Sequence, residues 1–144
     1  MPLSSLRDGP KVEKSQMRNK EQIYVVDDNE WVCRSLQGLL VAAGFEVRAF
    51  FSAEEFFSAV PNSAEGCLIL DLNMPGLNGW EAQRRLMKVG AKRPVIVMAE
   101  DKDTGIEELA LKAGAVGFLQ KPFDDRALID AVNRAFKSET STKK

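Results

Sequence analysis

"CLILDLNMPGLNG", residues 67–79, is the stretch on which the reading of this chain turns. An apolar run, Cys67 to Leu70, ends on a carboxylate, Asp71, and a segment containing Pro75, Gly76 and Gly79 follows within eight residues. Apolar residues without alternation suit a short strand buried on both faces. Pro-Gly favours a tight turn, and Gly79 permits a backbone bend before the next helix. Alone, Asp71 reads equally well as the acid of an Asx turn at a strand end.

Outward from this stretch the same grammar repeats. "QIYVV" is an apolar strand ending at Asp27, and "EWVCRSLQGLLVAA" sets Trp31, Leu36, Leu39 and Leu40 at helical spacing before a capping Gly44. "FEVRAF" alternates as a strand, and "SAEE" is a capping box, Ser52 with Glu55, opening a short helix. "WEAQRRLMKV" reads as a helix closed by Gly90, and "PVIVM" as a strand. "TGIE" offers a second capping box, Thr104 with Glu107, on a helix closed at Gly114. "GFLQ" is a last strand, and Asp124 or Asp125 caps "RALIDAVNRAFK". Strand and helix thus alternate five times. Right-handed crossovers then give an α/β fold, a three-layer, doubly wound, five-stranded parallel sheet with helices on both faces. Ligands in such sheets bind outside the carboxyl ends of the strands. The residues there are Asp27, Asp28, Asp71, Ala99 and Lys121, so positions up to 94 residues apart are expected on one edge.

Composition narrows the chemistry. The 144 residues suit one domain and are 44% hydrophobic, enough for a core. No apolar run approaches the ~20 residues of a membrane span. The first twenty residues hold no apolar block of a signal peptide, so a cytoplasmic protein is expected. Cys33 and Cys67 lie within apolar patterns and form no CxxC. There is no histidine, which excludes Ser-His-Asp and Cys-His catalysis, histidine-ligated metals and a phosphohistidine on this chain. Residues 1–20 carry five Lys/Arg against two Asp/Glu and residues 137–144 three against one, so 21–136 carries a net −6. Such an acidic body is a poor nucleic-acid binder by itself. The organisation expected is a flexible extension over 1–20, a folded domain over 21–138 and a polar tail over 139–144.

Three carboxylates in one cleft resist joint ionisation unless a cation is present. Hard oxygens favour Mg²⁺ or Ca²⁺. Mg²⁺ takes one or two carboxylates, keeps several waters and bridges to phosphate oxygens. A lysine on the same edge pairs with that phosphate, and a carboxylate can itself be the nucleophile that forms an aspartyl phosphate. The edge therefore suits phosphoryl transfer to a carboxylate.

The pieces "VVDDN", "LILDLNMPGLNGWE", "RPVIVMAE" and "AGAVGFLQKPF", in this order and spacing, resemble the receiver domain of bacterial two-component response regulators over about Gln22 to Lys137. "FSAEEFF" and "DLNMPGLNG" resemble the subgroup that precedes a helix-turn-helix output domain. The resemblance implies the flavodoxin-like strand order 2-1-3-4-5. It implies Asp71 as phosphoacceptor, Asp28 as a direct Mg²⁺ ligand, Asp27 as one acting mainly through water, and the backbone carbonyl of Asn73 as another. It implies Lys121 as the phosphate partner, a cis bond before Pro122, and Phe118 as the aromatic switch facing the fourth helix, fifth strand and fifth helix. The implied partners are a sensor histidine kinase or phosphotransfer protein, with a homodimer or a downstream protein beyond it. Only a short polar stretch follows Phe136, so no DNA-binding domain is expected in these residues.

One departure stands out. The family ends its fourth strand in Thr or Ser followed by a small residue, whereas this chain reads "VIVMAE" and places Ala99 and Glu100 there. Ala99 has no hydroxyl to donate to a phosphoryl oxygen. The main expectation is a phosphorylatable signalling module, not a turnover enzyme. Two alternatives stand beside it: a receiver fold that signals through phosphorylation-independent protein contacts, and a Mg²⁺-dependent phosphatase with an aspartyl nucleophile. The second would want Asp-x-Asp at the first strand end, where this chain has adjacent Asp27 and Asp28.

Overall fold

The computed structural model describes residues 21–73, 81–85, 93–100 and 104–142, with backbone alone at 104 and 138–142. The expected extension over 1–20, the Pro75–Gly79 turns, and the helix closure at Gly90 lie outside the described residues, and of the "WEAQRRLMKV" helix only 81–85 fall within them.

Strands β1 (Gln22–Val26), β2 (Glu46–Phe50), β3 (Cys67–Asp71), β4 (Val95–Ala99) and β5 (Gly117–Gln120) form one parallel sheet in the order β2-β1-β3-β4-β5. Between them run α1 (Glu30–Ala42), α2 (Ala53–Ala59), the helical residues 81–85 (α3), α4 (Thr104–Lys112) and, last, α5 (Asp125–Thr142). Burial explains the order. All five residues of β3 and of β4 are buried, and four of five in β1, because helices cover both faces of central parallel strands. The edge strands β2 and β5 are only partly covered.

Period-two alternation divides the apolar residues between two cores. Tyr24, Val26, Leu68, Leu70 and Val97 pack with Phe56, Ala82 and Ala110, the face of α2, α3 and α4. Ile23, Val25, Ile69, Ile96 and Met98 pack with Leu36, Leu40, Leu128 and Val132, the face of α1 and α5. Trp31, grouped with Leu36, Leu39 and Leu40 in the sequence, is 80% exposed; the buried stripe is Cys33, Leu36 and Leu40, at i, i+3 and i+7.

Local signals hold in detail. Ser52 Oγ accepts from Glu55 N–H at 3.0 Å, and Glu55 Oε1 reaches back to Phe51 N–H at 2.9 Å, one residue beyond the usual return bond. Asp124 Oδ1 accepts from Ala127 N–H at 2.8 Å, so Asp124 caps α5. The helix continues to Thr142, four residues into the segment read as a polar tail. Gly66 has φ +138, and a Cβ there would stand 2.8 Å from Gln22 O and from a Tyr24 ring carbon. The turn into β3 therefore accepts only glycine without displacement.

Candidate functional site

The sheet order reverses between β1 and β3, and a crevice opens at such a reversal beyond the strand ends. Parallel register levels those ends. Val26 pairs with Leu70, so Asp27 and Asp71 follow side by side; Asp71 pairs with Met98, and Ala99 with Gln120, just before Lys121. Asp27, Asp28 and Asp71 each bring a carboxylate oxygen to within 4.8 Å of the others. Asp27 and Asp71 are buried and Asp28 is exposed, so the cluster has an inner wall and a solvent-facing lip.

Each acid is oriented by its own loop. Asp27 Oδ1 accepts from Asn29 N–H at 2.9 Å, and Asp71 Oδ1 accepts from Asn73 N–H at 3.1 Å. These are two Asx turns of the same kind at neighbouring strand ends. Asn29 is also the α1 N-cap, accepting from Trp31 N–H at 2.9 Å and Val32 N–H at 3.3 Å, so neither Asp27 nor Asp28 is spent on capping. The sequence reading passed over Asn29; an Asn immediately before Glu30 and the apolar helix is the signal that marks it.

Lys121 joins the two buried acids. Its Nζ lies 2.8 Å from Asp27 Oδ2 and 3.5 Å from Asp71 Oδ2, and its backbone N–H donates to Ala99 O at 2.8 Å. The Lys121–Pro122 peptide is cis. Burial works against the ammonium, but the bond to Asp27 and the charges of both acids outweigh it and raise the Lys121 pKa. Burial pushes the Asp71 carboxyl up from 3.8 to about 6; the Asn73 N–H opposes this, the Asp27 charge adds to it, and Lys121 opposes it. Asp71 is thus an anion at neutral pH whose charge is poorly solvated, which suits a nucleophile and a cation ligand. The donor set, three carboxylates and no nitrogen or sulfur, fits a hard divalent cation such as Mg²⁺. Asn73, whose backbone carbonyl the resemblance assigns to the metal, follows Asp71 by two residues on the same lip.

The rim is less regular. Ala99 is buried at the end of β4, and Glu100 is exposed beside it. Asn73 Oδ1 accepts from Glu100 N–H at 3.4 Å, a link between the β3 and β4 ends that the sequence reading missed and that no local pattern reveals. Phe118 is half-buried against the core cluster that contains Val97 and Ala99. Beside Lys121 a cleft of about 560 Å³ opens between α1 and the β5–α5 loop, walled by Trp31, Leu36, Leu39, Pro122 and Phe123.

A family profile described as the response regulator receiver domain matches residues 23–133. The chain is similar to the response regulator protein TmoT of Ectopseudomonas mendocina, 38% identical over 125 residues, covering 86% of this chain and 57% of that protein. It is similar to TodT of Pseudomonas putida, 40% identical over 115 residues, covering 80% and 51% respectively. Among solved structures, FixJ-N superposes with a TM-score of 0.76 at 38% identity, over 83% of this chain and 95% of that one. The chain spans about half the length of the curated relatives it matches.

Proposed function

The chain belongs to the response regulator receiver domain family, the phosphoacceptor module of two-component signalling, and on that footing we propose that Asp71 is its phosphoacceptor. Asp27, Asp28, Asp71 and the Asn73 carbonyl would hold Mg²⁺, and phosphorylation would switch a protein-interaction face that includes Phe118. The observation that carries this is Lys121 Nζ between Asp27 Oδ2 and Asp71 Oδ2, at the mouth of a three-carboxylate cluster.

In the transfer, a carboxylate oxygen of Asp71 bonds to phosphorus as the bond from phosphorus to the donor breaks. The electron pair leaves with the donor, an imidazole nitrogen of a partner's phosphohistidine, which takes a proton from solvent. Asp71 needs no general base because it is already an anion at neutral pH. Lys121, tethered at its backbone to Ala99 O, keeps a positive charge beside the transferred group. Mg²⁺, when bound, offsets the charge of the acids and of the phosphoryl oxygens. The donor would be a sensor histidine kinase or phosphotransfer protein in the cytoplasm, since the chain has no histidine of its own. The exposed Trp31 and the apolar cleft beside Lys121 give such a partner a surface next to the reacting atoms.

Phosphorylation-independent contacts would not require this charged constellation, and a phosphatase would turn over small phosphoesters instead of retaining one phosphate. The test is incubation with acetyl phosphate or the cognate kinase in Mg²⁺, followed by mass spectrometry. One phosphate mapping to Asp71, labile to alkali and to hydroxylamine as an acyl phosphate is, is expected. An adduct persisting at full level in Asp71→Asn would refute the assignment.

A further inference from the structure

Ala99 leaves the phosphoryl site without the side-chain hydroxyl that a Thr or Ser would place at the end of β4. Beyond the end of the neighbouring strand β3 stands a neutral side-chain donor, Asn73. Asn73 is held on both sides. Its backbone N–H donates to Asp71 Oδ1 at 3.1 Å, which fixes its position against the acceptor carboxylate. Its side-chain oxygen accepts from Glu100 N–H at 3.4 Å, just past the strand end where Ala99 sits. A backbone N–H can donate only to the oxygen of the amide, so this bond also decides the amide's orientation and leaves Nδ2 as a two-proton donor. The bond to Glu100 uses neither of the Nδ2 protons.

We propose that the Asn73 side-chain amide takes over the role vacated at Ala99, donating from Nδ2 to an oxygen of the phosphoryl group on Asp71 and so tying that oxygen, through Oδ1 and Glu100 N–H, to the end of β4. The inference rests on the reading of Asp71 as phosphoacceptor. It gives Asn73 a side-chain function separate from its backbone carbonyl. It also accounts for a chain that keeps its acids and lysine while lacking the hydroxyl: the link between phosphate and β4 runs through an amide from the neighbouring strand. Glu100 enters through its backbone alone, so its exposed carboxylate is free to point to solvent.

The experiment is a double-mutant cycle on beryllofluoride binding, which mimics the phosphoryl group and needs no donor enzyme. Native chain, Asn73→Ala, Ala99→Thr and the double variant are titrated in Mg²⁺, each checked for a native amide spectrum, and the Asn73 side-chain amide is followed by ¹⁵N NMR. Loss of one hydrogen bond to a charged acceptor predicts binding about tenfold or more weaker in Asn73→Ala. In the Ala99→Thr background the same change should cost less than about threefold, because the new hydroxyl donates instead. Beryllofluoride should move the Asn73 Nδ2 resonances in the native chain and less in Ala99→Thr. An equal cost of Asn73→Ala in both backgrounds, or unmoved Nδ2 resonances in a native chain that binds, overturns this inference and leaves the phosphoacceptor reading standing. Failure of all four proteins to bind overturns both.

Discussion

Replacing Asp71 by Asn should stabilise the metal-free protein at neutral pH, although it removes the proposed acceptor. The carboxyl has a pKa of about 6 in the folded chain against an ordinary 3.8, mainly because burial penalises its charge. Between these values the folded chain binds a proton that the unfolded chain has released, so stability falls as pH rises. The favourable contribution is complete below 3.8 and gone above about 6. Two pKa units correspond to ~3 kcal/mol. Asn removes the charge and keeps the geometry: its carbonyl oxygen can still accept the Asn73 N–H, and Lys121 retains Asp27 at 2.8 Å while losing only the looser 3.5 Å contact. Urea unfolding in EDTA should therefore show Asp71→Asn more stable than the native chain by ~1–3 kcal/mol at pH 7.5, the lower bound allowing for the lost lysine contact, with the gap closing towards pH 4. Mg²⁺ at ten times its Kd should return about 1.4 kcal/mol to the native chain. A variant that is less stable at pH 7.5, or a gap independent of pH, would refute the account of Asp71 as a poorly solvated anion.

Two further outcomes follow from burial and backbone geometry. The Cys33 thiol, buried beneath Asp27 with Sγ 3.2 Å from its carbonyl, is pushed up to about 11 first by burial and then by the Asp27 charge; iodoacetamide at pH 8 should label it roughly a hundredfold more slowly in the native chain than in urea, and equal rates would contradict that environment. Gly66→Ala should cost ~2 kcal/mol or more in chemical denaturation, from a positive φ and a 2.8 Å approach to Gln22 O, and a loss below ~0.5 kcal/mol would mean that the turn into β3 moves freely.

Much of this protein is decided locally and is therefore legible in its sequence. The apolar runs of β1, β3 and β4 need helices on both faces, the Ser52–Glu55 pair starts a helix wherever it is placed, and Asp27, Asp71 and Lys121 stand at strand ends by simple counting. These follow from side-chain period and hydrogen-bonding capacity within a few residues. Trp31 marks the first limit: the sequence groups it with Leu36, Leu39 and Leu40, but the buried stripe of α1 is Cys33, Leu36 and Leu40, at i, i+3 and i+7, and Trp31 lies off it. The site itself belongs to the tertiary structure. That Lys121 bonds Asp27 more closely than Asp71, that Asp71 rather than the exposed Asp28 carries the desolvated charge, and that the Asn73 amide reaches Glu100 across to the next strand are consequences of register between β1, β3, β4 and β5. Sequence fixes which groups arrive at the edge; the distances between groups up to 94 positions apart, and the burial that sets their charge energies, exist only once the sheet is assembled.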